Sequence, residues 1–182
     1  MRETIDTRLI EQTLNLMSFD SFFQNPRIQT FVEDAYRFCV PLEFYIMPAS
    51  SSGRYHPTYS LGVGGVIRHT KAAMVLAKEL LPLYSFTPSQ ADYMLAALAL
   101  HDIAKPSKTH PIEVKAMLEP IMDDYYDEVN QVIPLIECHM GQWDQYGKLP
   151  RPKTEEQKFV HLCDFLASRK NTTVETINRE EF

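Results

Sequence analysis

His101 and Asp102 stand side by side in LALHDIAKPSKTH, directly after the apolar run AALAL. An imidazole beside a carboxylate, where a helix should enter the core, is costly to bury unless something compensates it, and a metal ion would. Residues of the same kind recur along the chain. His69 falls within VIRHTKAAMVLA, and His139 sits at a helix end in PLIECHMGQW. Asp164 is flanked in KFVHLCDFLASR by Phe159, Val160, Leu162, Cys163, Phe165 and Leu166. A carboxylate in that apolar company needs a partner. Helical bundles build metal sites from side chains that point inward from facing helices. Imidazole and carboxylate together suit Mn, Fe, Co, Ni or Zn better than Ca or Mg. The plainer alternative for His101-Asp102 is a satisfied polar pair at a helix end.

The elements that must position these residues read as helices. Apolar positions at Ile5, Leu9, Ile10, Leu14 and Leu16-Met17 form a helical stripe over residues 3–18. Pro26 suits the first turn of a second helix, which starts after Asn25 and runs to about Val40. From Pro41 to Gly65 the chain crowds Gly, Pro and Ser without a period, as in a long loop. Helical spacing returns over residues 66–82. Thr87-Pro88-Ser89-Gln90 is a capping box opening a helix that carries AALALHD. His110-Pro111 opens another, with Glu113 in its first turn. Residues 121–139 read as helical, with Pro134 kinking or dividing them and Gly141 fitting a helix stop. Thr154-Glu155-Glu156-Gln157 is a second capping box, for the helix holding His161 and Asp164, and the last dozen residues suit one more short helix. The expected fold is all-α, a bundle of about seven to nine helices.

The bulk composition is that of an ordinary globular chain: 182 residues, 45% apolar and 23% charged. The net charge of −6 and the absence of a Lys/Arg block argue against a broad nucleic-acid-binding face, though not against a small phosphate pocket. No apolar stretch is long enough for a membrane span, and MRETIDTRLIEQ lacks the core of a secretory signal. Cys39, Cys138 and Cys163 are odd in number and lack C-x-x-C spacing, so they read as buried free thiols in a reducing cytoplasm.

The order H…HD…H…H…D, carried by His69, His101-Asp102, His110, His139 and Asp164, resembles the HD-domain superfamily of metal-dependent phosphohydrolases. GGVIRHT resembles the family's GGLLxHT opening, LALHDIAK its LLHDIGK, and HLCDFLASR its closing LHxADxLDA-type helix. PASSSGRYHPTYSLGVGG is similar to the Pro-Ala and His-rich segment before that opening in HD proteins related to a bacterial 3′–5′ exoribonuclease. Ala104 stands where Gly is common, and Met140 follows His139 where a second His is frequent. The exoribonuclease group carries an additional nucleic-acid-binding domain, for which 182 residues are expected to leave no room. The resemblance implies an HD-type domain over residues 47–182, with residues 1–46 as a helical segment packed on its core. It also implies a first metal held by His69, His101, Asp102 and Asp164, and a second held by His110 and His139 with Asp102 bridging.

The same resemblance implies a catalytic role for Asp102, Lys105 and His110, with Lys105 against a phosphate oxygen. A helix-end lysine facing water is the alternative. Other side chains are candidates on their own chemistry. Arg54 follows Ser50-Ser51-Ser52-Gly53, so backbone amides and a guanidinium could wrap an anion. His56 is either a substrate contact or a loop-fixing hydrogen bond. Ser168 and Arg169 lie about one turn beyond Asp164 and could line the pocket mouth. Trp143, Tyr55 and Tyr59 could stack on a base or simply pack. His161 shares a helical face with Asp164 and reads as a core or surface histidine, with support of a metal ligand as the alternative. The expected reaction is hydrolysis of a phosphate ester of a nucleotide or short oligonucleotide by metal-activated water, with Lys105 or Arg54 offsetting phosphoryl charge and His110 or His56 protonating the leaving group. One or two divalent transition ions would serve, Mn2+, Fe2+, Ni2+ or Co2+, with Mg2+ as an alternative. Partners would be a small phosphorylated molecule or a short single-stranded nucleic acid, with no membrane. A di-iron oxygenase and a nucleotide-sensing module without catalysis are the competing readings.

Overall fold

Local chemistry fixes the helix starts. The computed structural model describes residues 2–50, 52–144 and 147–170, with residues 2–6 by backbone alone. Among them are eight α-helices and no strand: α1 (Arg2–Met17), α2 (Pro26–Phe38), α3 (Leu42–Ile46), α4 (Gly65–Leu80), α5 (Pro88–Leu100), α6 (His110–Met117), α7 (Tyr126–Ile136) and α8 (Glu155–Ala167). Asn25 caps α2 by accepting from the Arg27 amide at 2.9 Å. The two capping boxes form as the sequence predicts, Thr87 with Gln90 on α5 and Thr154 with Gln157 on α8.

α5 is the central element. Met94 through Leu100 are all buried, and α2, α4, α7 and α8 pack around the helix. The apolar face of α2, made of Ile28, Phe31, Val32, Ala35 and Tyr36, joins the same core. Tyr36 donates its hydroxyl hydrogen to the carbonyl of Ala99 at 2.9 Å, so this buried phenol is satisfied against α5.

Four boundaries differ from the sequence reading. The segment from Pro41 to Gly65 is not loop throughout: α3 forms within it and buries Phe44 and Tyr45. The helix carrying AALAL stops at Leu100, leaving His101 and Asp102 in the turns that follow. α7 begins at Tyr126 rather than residue 121, after a 3₁₀ turn over Glu119–Ile121, and ends at Ile136. Pro134 lies inside α7 without dividing it, at the cost of the one ladder bond its missing amide would make. Gly141 is not a left-handed helix stop, since its φ is not positive. Its hydrogen matters for space: a Cβ there would lie 1.8 Å from the carbonyl oxygen of Pro150. The helix expected for the last dozen residues falls outside the described residues.

Cys138 and Cys163 are buried and Cys39 half-buried, all as free thiols. Burial pushes the Cys138 and Cys163 thiols up to about 11 and about 12, so neither is a ready nucleophile. Among the described residues no helix is long and apolar enough to cross a membrane.

Candidate metal centre

Three helices and two turns deliver one polar cluster to the interior. α4 supplies His69, the turn after α5 supplies His101 and Asp102, α6 opens with His110, the turn after α7 carries His139, and α8 carries Asp164. All four histidines and Asp102 are at most 3% exposed.

Three of the imidazoles are set in one way. Nδ1 of His101 lies 2.7 Å from the carbonyl of Leu98, Nδ1 of His110 2.8 Å from that of Ser107, and Nδ1 of His139 2.8 Å from that of Ile136. A carbonyl can only accept, so each Nδ1 carries a hydrogen, and in the neutral ring each Nε2 is left with a lone pair. Those lone pairs converge on the two carboxylates.

The oxygens of Asp102 face different partners. Oδ2 lies 3.2 Å from Nε2 of His101 and 3.8 Å from Nε2 of His69. Oδ1 of Asp164 closes that side, 3.0 Å from Nε2 of His69 and 3.5 Å from Nε2 of His101. Oδ1 of Asp102 turns the other way, 3.0 Å from Nε2 of His110 and 3.8 Å from Nε2 of His139. His101 also stands at the junction, since its ligand atom, with those of Asp102 and His139, falls within a sphere of mutual distances below 4.8 Å.

Neither Nε2 of His101 nor Oδ2 of Asp102 makes a hydrogen bond of proper geometry, although both are buried. Lys105 meets one carboxylate oxygen, but the other oxygens and the Nε2 atoms face one another, a crowding that a cation repairs, and the donor set of imidazole and carboxylate fits a divalent transition ion. Without an ion, the carboxylates relieve the same crowding by favouring a second proton on His101. Burial disfavours a charged His101, yet Asp102 and Asp164 outweigh it and raise the imidazole to about 10. Burial also opposes ionisation of Asp102, but His101 and Lys105 hold it well below the carboxylate range; His101 and His69 do the same for Asp164. Burial and repulsion from His101 lower His139 to about 3, which leaves its ring neutral.

Asp102, His110, His139 and Asp164 line a cavity of about 630 Å³. Tyr55, His56, Lys105, Trp143, Ser168 and Arg169 rise around it. Lys105 does not face open water: Nζ lies 2.6 Å from Oδ2 of Asp102 and donates to the carbonyl of Ala49 at 3.2 Å. The ring of His56 packs edge-on against His69 at 5.4 Å, with Nδ1 buried and unbonded, and burial together with His69 and Lys105 lowers it to about 4. Arg169 lies over the rings of Phe165 and Tyr55 at 4.5 and 5.2 Å. Arg54 also lies over the Tyr55 ring, at 5.8 Å, and is not among the residues lining the cavity. The amides of Gly53 and Arg54, expected to wrap an anion, instead donate to the hydroxyls of Ser50 and Ser52 at 3.3 Å each, and Ser51 lies outside the described residues. Tyr59 donates to the carbonyl of Ala167 and packs the loop against α8.

Sequence reasoning gave no sign of the carbonyls that orient the imidazoles, because every residue has one. A consistent signal appears only with coordinates: the accepting carbonyl is three residues before its histidine each time.

No curated protein and no solved structure matches the sequence significantly. A family model does: the HD domain model matches residues 66–169, a span that begins just before His69 and ends just after Asp164. With more than half of its length matched and its buried histidines and aspartates gathered on one centre, the chain belongs to the HD domain family.

Proposed function

We propose that this protein is a metal-dependent phosphohydrolase that cleaves a phosphate ester of a nucleotide or short oligonucleotide. The observation that carries the reading is the convergence of buried acceptor atoms at the base of an open cavity. His69, His101, Asp102 and Asp164 would hold one divalent ion, and His110, His139 and the second oxygen of Asp102 another. When bound, such ions supply Lewis acidity and lower the pKa of coordinated water toward neutrality.

The chain's own groups do the rest. Lys105, on the cavity wall, offers an ammonium to the phosphoryl oxygens and offsets charge that grows there in the transition state. Arg169 and Ser168 border the mouth, where a substrate phosphate enters. His56, neutral near pH 7, offers one N–H to an ester oxygen as a hydrogen-bond donor. His110 has Nδ1 committed to Ser107 and Nε2 aimed at the cluster, which supports a ligand role over a proton donor for the leaving group. Trp143 presents a half-exposed aromatic face on which a base can stack.

The test is metal analysis of the purified protein followed by an anaerobic screen of phosphomonoesters, cyclic nucleotides and short oligonucleotides with added Mn2+. Release of phosphate or nucleotide that chelation abolishes is the expected result. Turnover that requires oxygen would favour the di-iron oxygenase, and ligand binding without cleavage the sensing module.

A further inference from the structure

His161 lies on α8, one turn before Asp164, and its ring does two jobs at once. Its Nδ1–H donates to the carbonyl of His139 at 2.6 Å. Its face stacks on Trp143, with ring centroids 4.4 Å apart and planes inclined by 29°. His139 sits beyond the end of α7, where the helical ladder no longer fixes the chain, and its Nδ1 and backbone amide both turn to the carbonyl of Ile136. Trp143 lies on the cavity wall and leans on Phe165 as well, at 5.4 Å and 16°.

Resting on the reading of the cluster as a two-cation centre, we infer that His161 is a positioning residue: it sets the second cation position through His139 and ties it to the aromatic wall of the substrate cavity. One helix then serves both halves of the centre. α8 gives Asp164 to the first cation directly and fixes His139 for the second through a hydrogen bond. Groups that orient metal ligands in this way change affinity when removed, although they never touch the ion. Because His139 reaches toward Asp102 from a turn, a shift of its backbone moves Nε2 away from the Asp102 oxygen it faces at 3.8 Å. The first half, built on α4, α8 and the turn after α5, does not depend on that carbonyl.

Two substitutions separate the jobs. His161→Phe keeps a ring against Trp143 and removes the donor, whereas His161→Asn keeps a donor near the place of Nδ1 and removes the ring. Zn2+ binding to the metal-free protein is measured by stoichiometry and calorimetry, and Trp143, the only tryptophan of the chain, reports by its emission. Two Zn2+ are expected per wild-type chain. His161→Phe should weaken the second by about 10- to 100-fold and leave the first nearly unchanged. His161→Asn should bind both. The wild-type emission should respond to the second equivalent, and His161→Asn should lose that response while still taking up the ion. Equal second-site affinity in wild type and His161→Phe would overturn the inference, as would equal loss of both ions in the two variants. A wild-type chain that binds fewer than two Zn2+ would sink the two-cation reading beneath it. Should His161→Phe lose its helical circular dichroism, the wild-type and His161→Asn titrations decide alone, and a flat wild-type emission through both equivalents overturns the inference.

Discussion

Nε2 of His110 and Nε2 of His139 face each other at 3.3 Å, although each ring has given its Nδ1 hydrogen to a carbonyl. With both rings neutral, two lone pairs at that separation repel, and Oδ1 of Asp102 adds a third acceptor. The fold therefore carries a local cost that a cation removes. Binding to the folded state alone raises stability by about 2.7 kcal/mol at a free-ion concentration of 100 Kd. Added Mn2+ or Zn2+ should accordingly raise the melting temperature of the metal-free protein by several degrees, and chelation should reverse it. A melting temperature indifferent to both ions would contradict the centre.

Among the described residues, Asp102 is the one carboxylate that faces both halves. Asp102→Ala should abolish turnover and leave a folded helical protein with at most one bound ion. The variant also strands Lys105 and His101, and breaking a buried pair costs about 3–5 kcal/mol, so Asp102→Asn is the milder control of similar volume. Activity retained in either variant, measured as product release per chain, would count against the mechanism.

The cluster also makes the metal-free protein sensitive to pH on both sides. His101 is raised from 6.5 to about 10 in the folded state. Its contribution is complete below pH 6.5 and is lost as pH climbs toward 10, because the folded chain holds a proton that the unfolded chain releases. His139 and His56 are lowered from 6.5 to about 3 and about 4, with the opposite consequence. Their contribution is present above pH 6.5 and is lost as pH falls through that lower range. Stability in chelator should therefore peak near pH 6.5, read from denaturant midpoints at fixed ionic strength. A flat midpoint from pH 6.5 to 10 would show that His101 carries no such proton.

Much of this arrangement could be read from residues alone, and the exceptions have physical causes. Thr87 with Gln90 and Thr154 with Gln157 announce their helices because a capping box is a local device, complete within four residues. α3 escapes notice because its five residues, lying between Pro41 and Pro48, carry no period, and packing of Phe44 and Tyr45 is what makes them helical. Gly141 fits a helix stop by type, yet its small size answers to Pro150, a neighbour that only the folded chain brings close. Likewise the residue types of His69, His101, His139 and Asp164 suggest a shared ion. The face that His161 shares with Asp164 leaves support of a ligand open as an alternative, but its partner, the carbonyl of His139 22 residues away, is visible only in the folded chain.

Lys105 provides a sharper test of chemistry than of folding. Its ammonium neutralises Asp102 and borders the cavity, so Lys105→Met should lower kcat by about 100-fold, the typical loss of one group that stabilises transition-state charge. Zn2+ stoichiometry should be unchanged, and Lys105→Arg should recover part of the rate. Loss of ions together with rate would instead assign Lys105 to holding Asp102 in place.

Gly65 tests whether the loop over the centre must sit where it does. A Cβ at this position would lie 2.1 Å from the carbonyl oxygen of Ser60 and 3.1 Å from the amide nitrogen of Ala49. Those two groups hydrogen-bond to each other at 3.0 Å and close the loop that bears Tyr55 and His56 over the cavity. Backbone cannot step aside as a flexible side chain can, so Gly65→Ala should cost about 1–3 kcal/mol by overpacking. None of the cluster residues lies in that loop, so ion stoichiometry should hold while kcat/KM falls with the displaced His56. Thermal melts, Zn2+ analysis and turnover on one preparation separate these effects; an unchanged melting temperature would mean that the close approach of Gly65 and Ser60 is not a constraint on the fold.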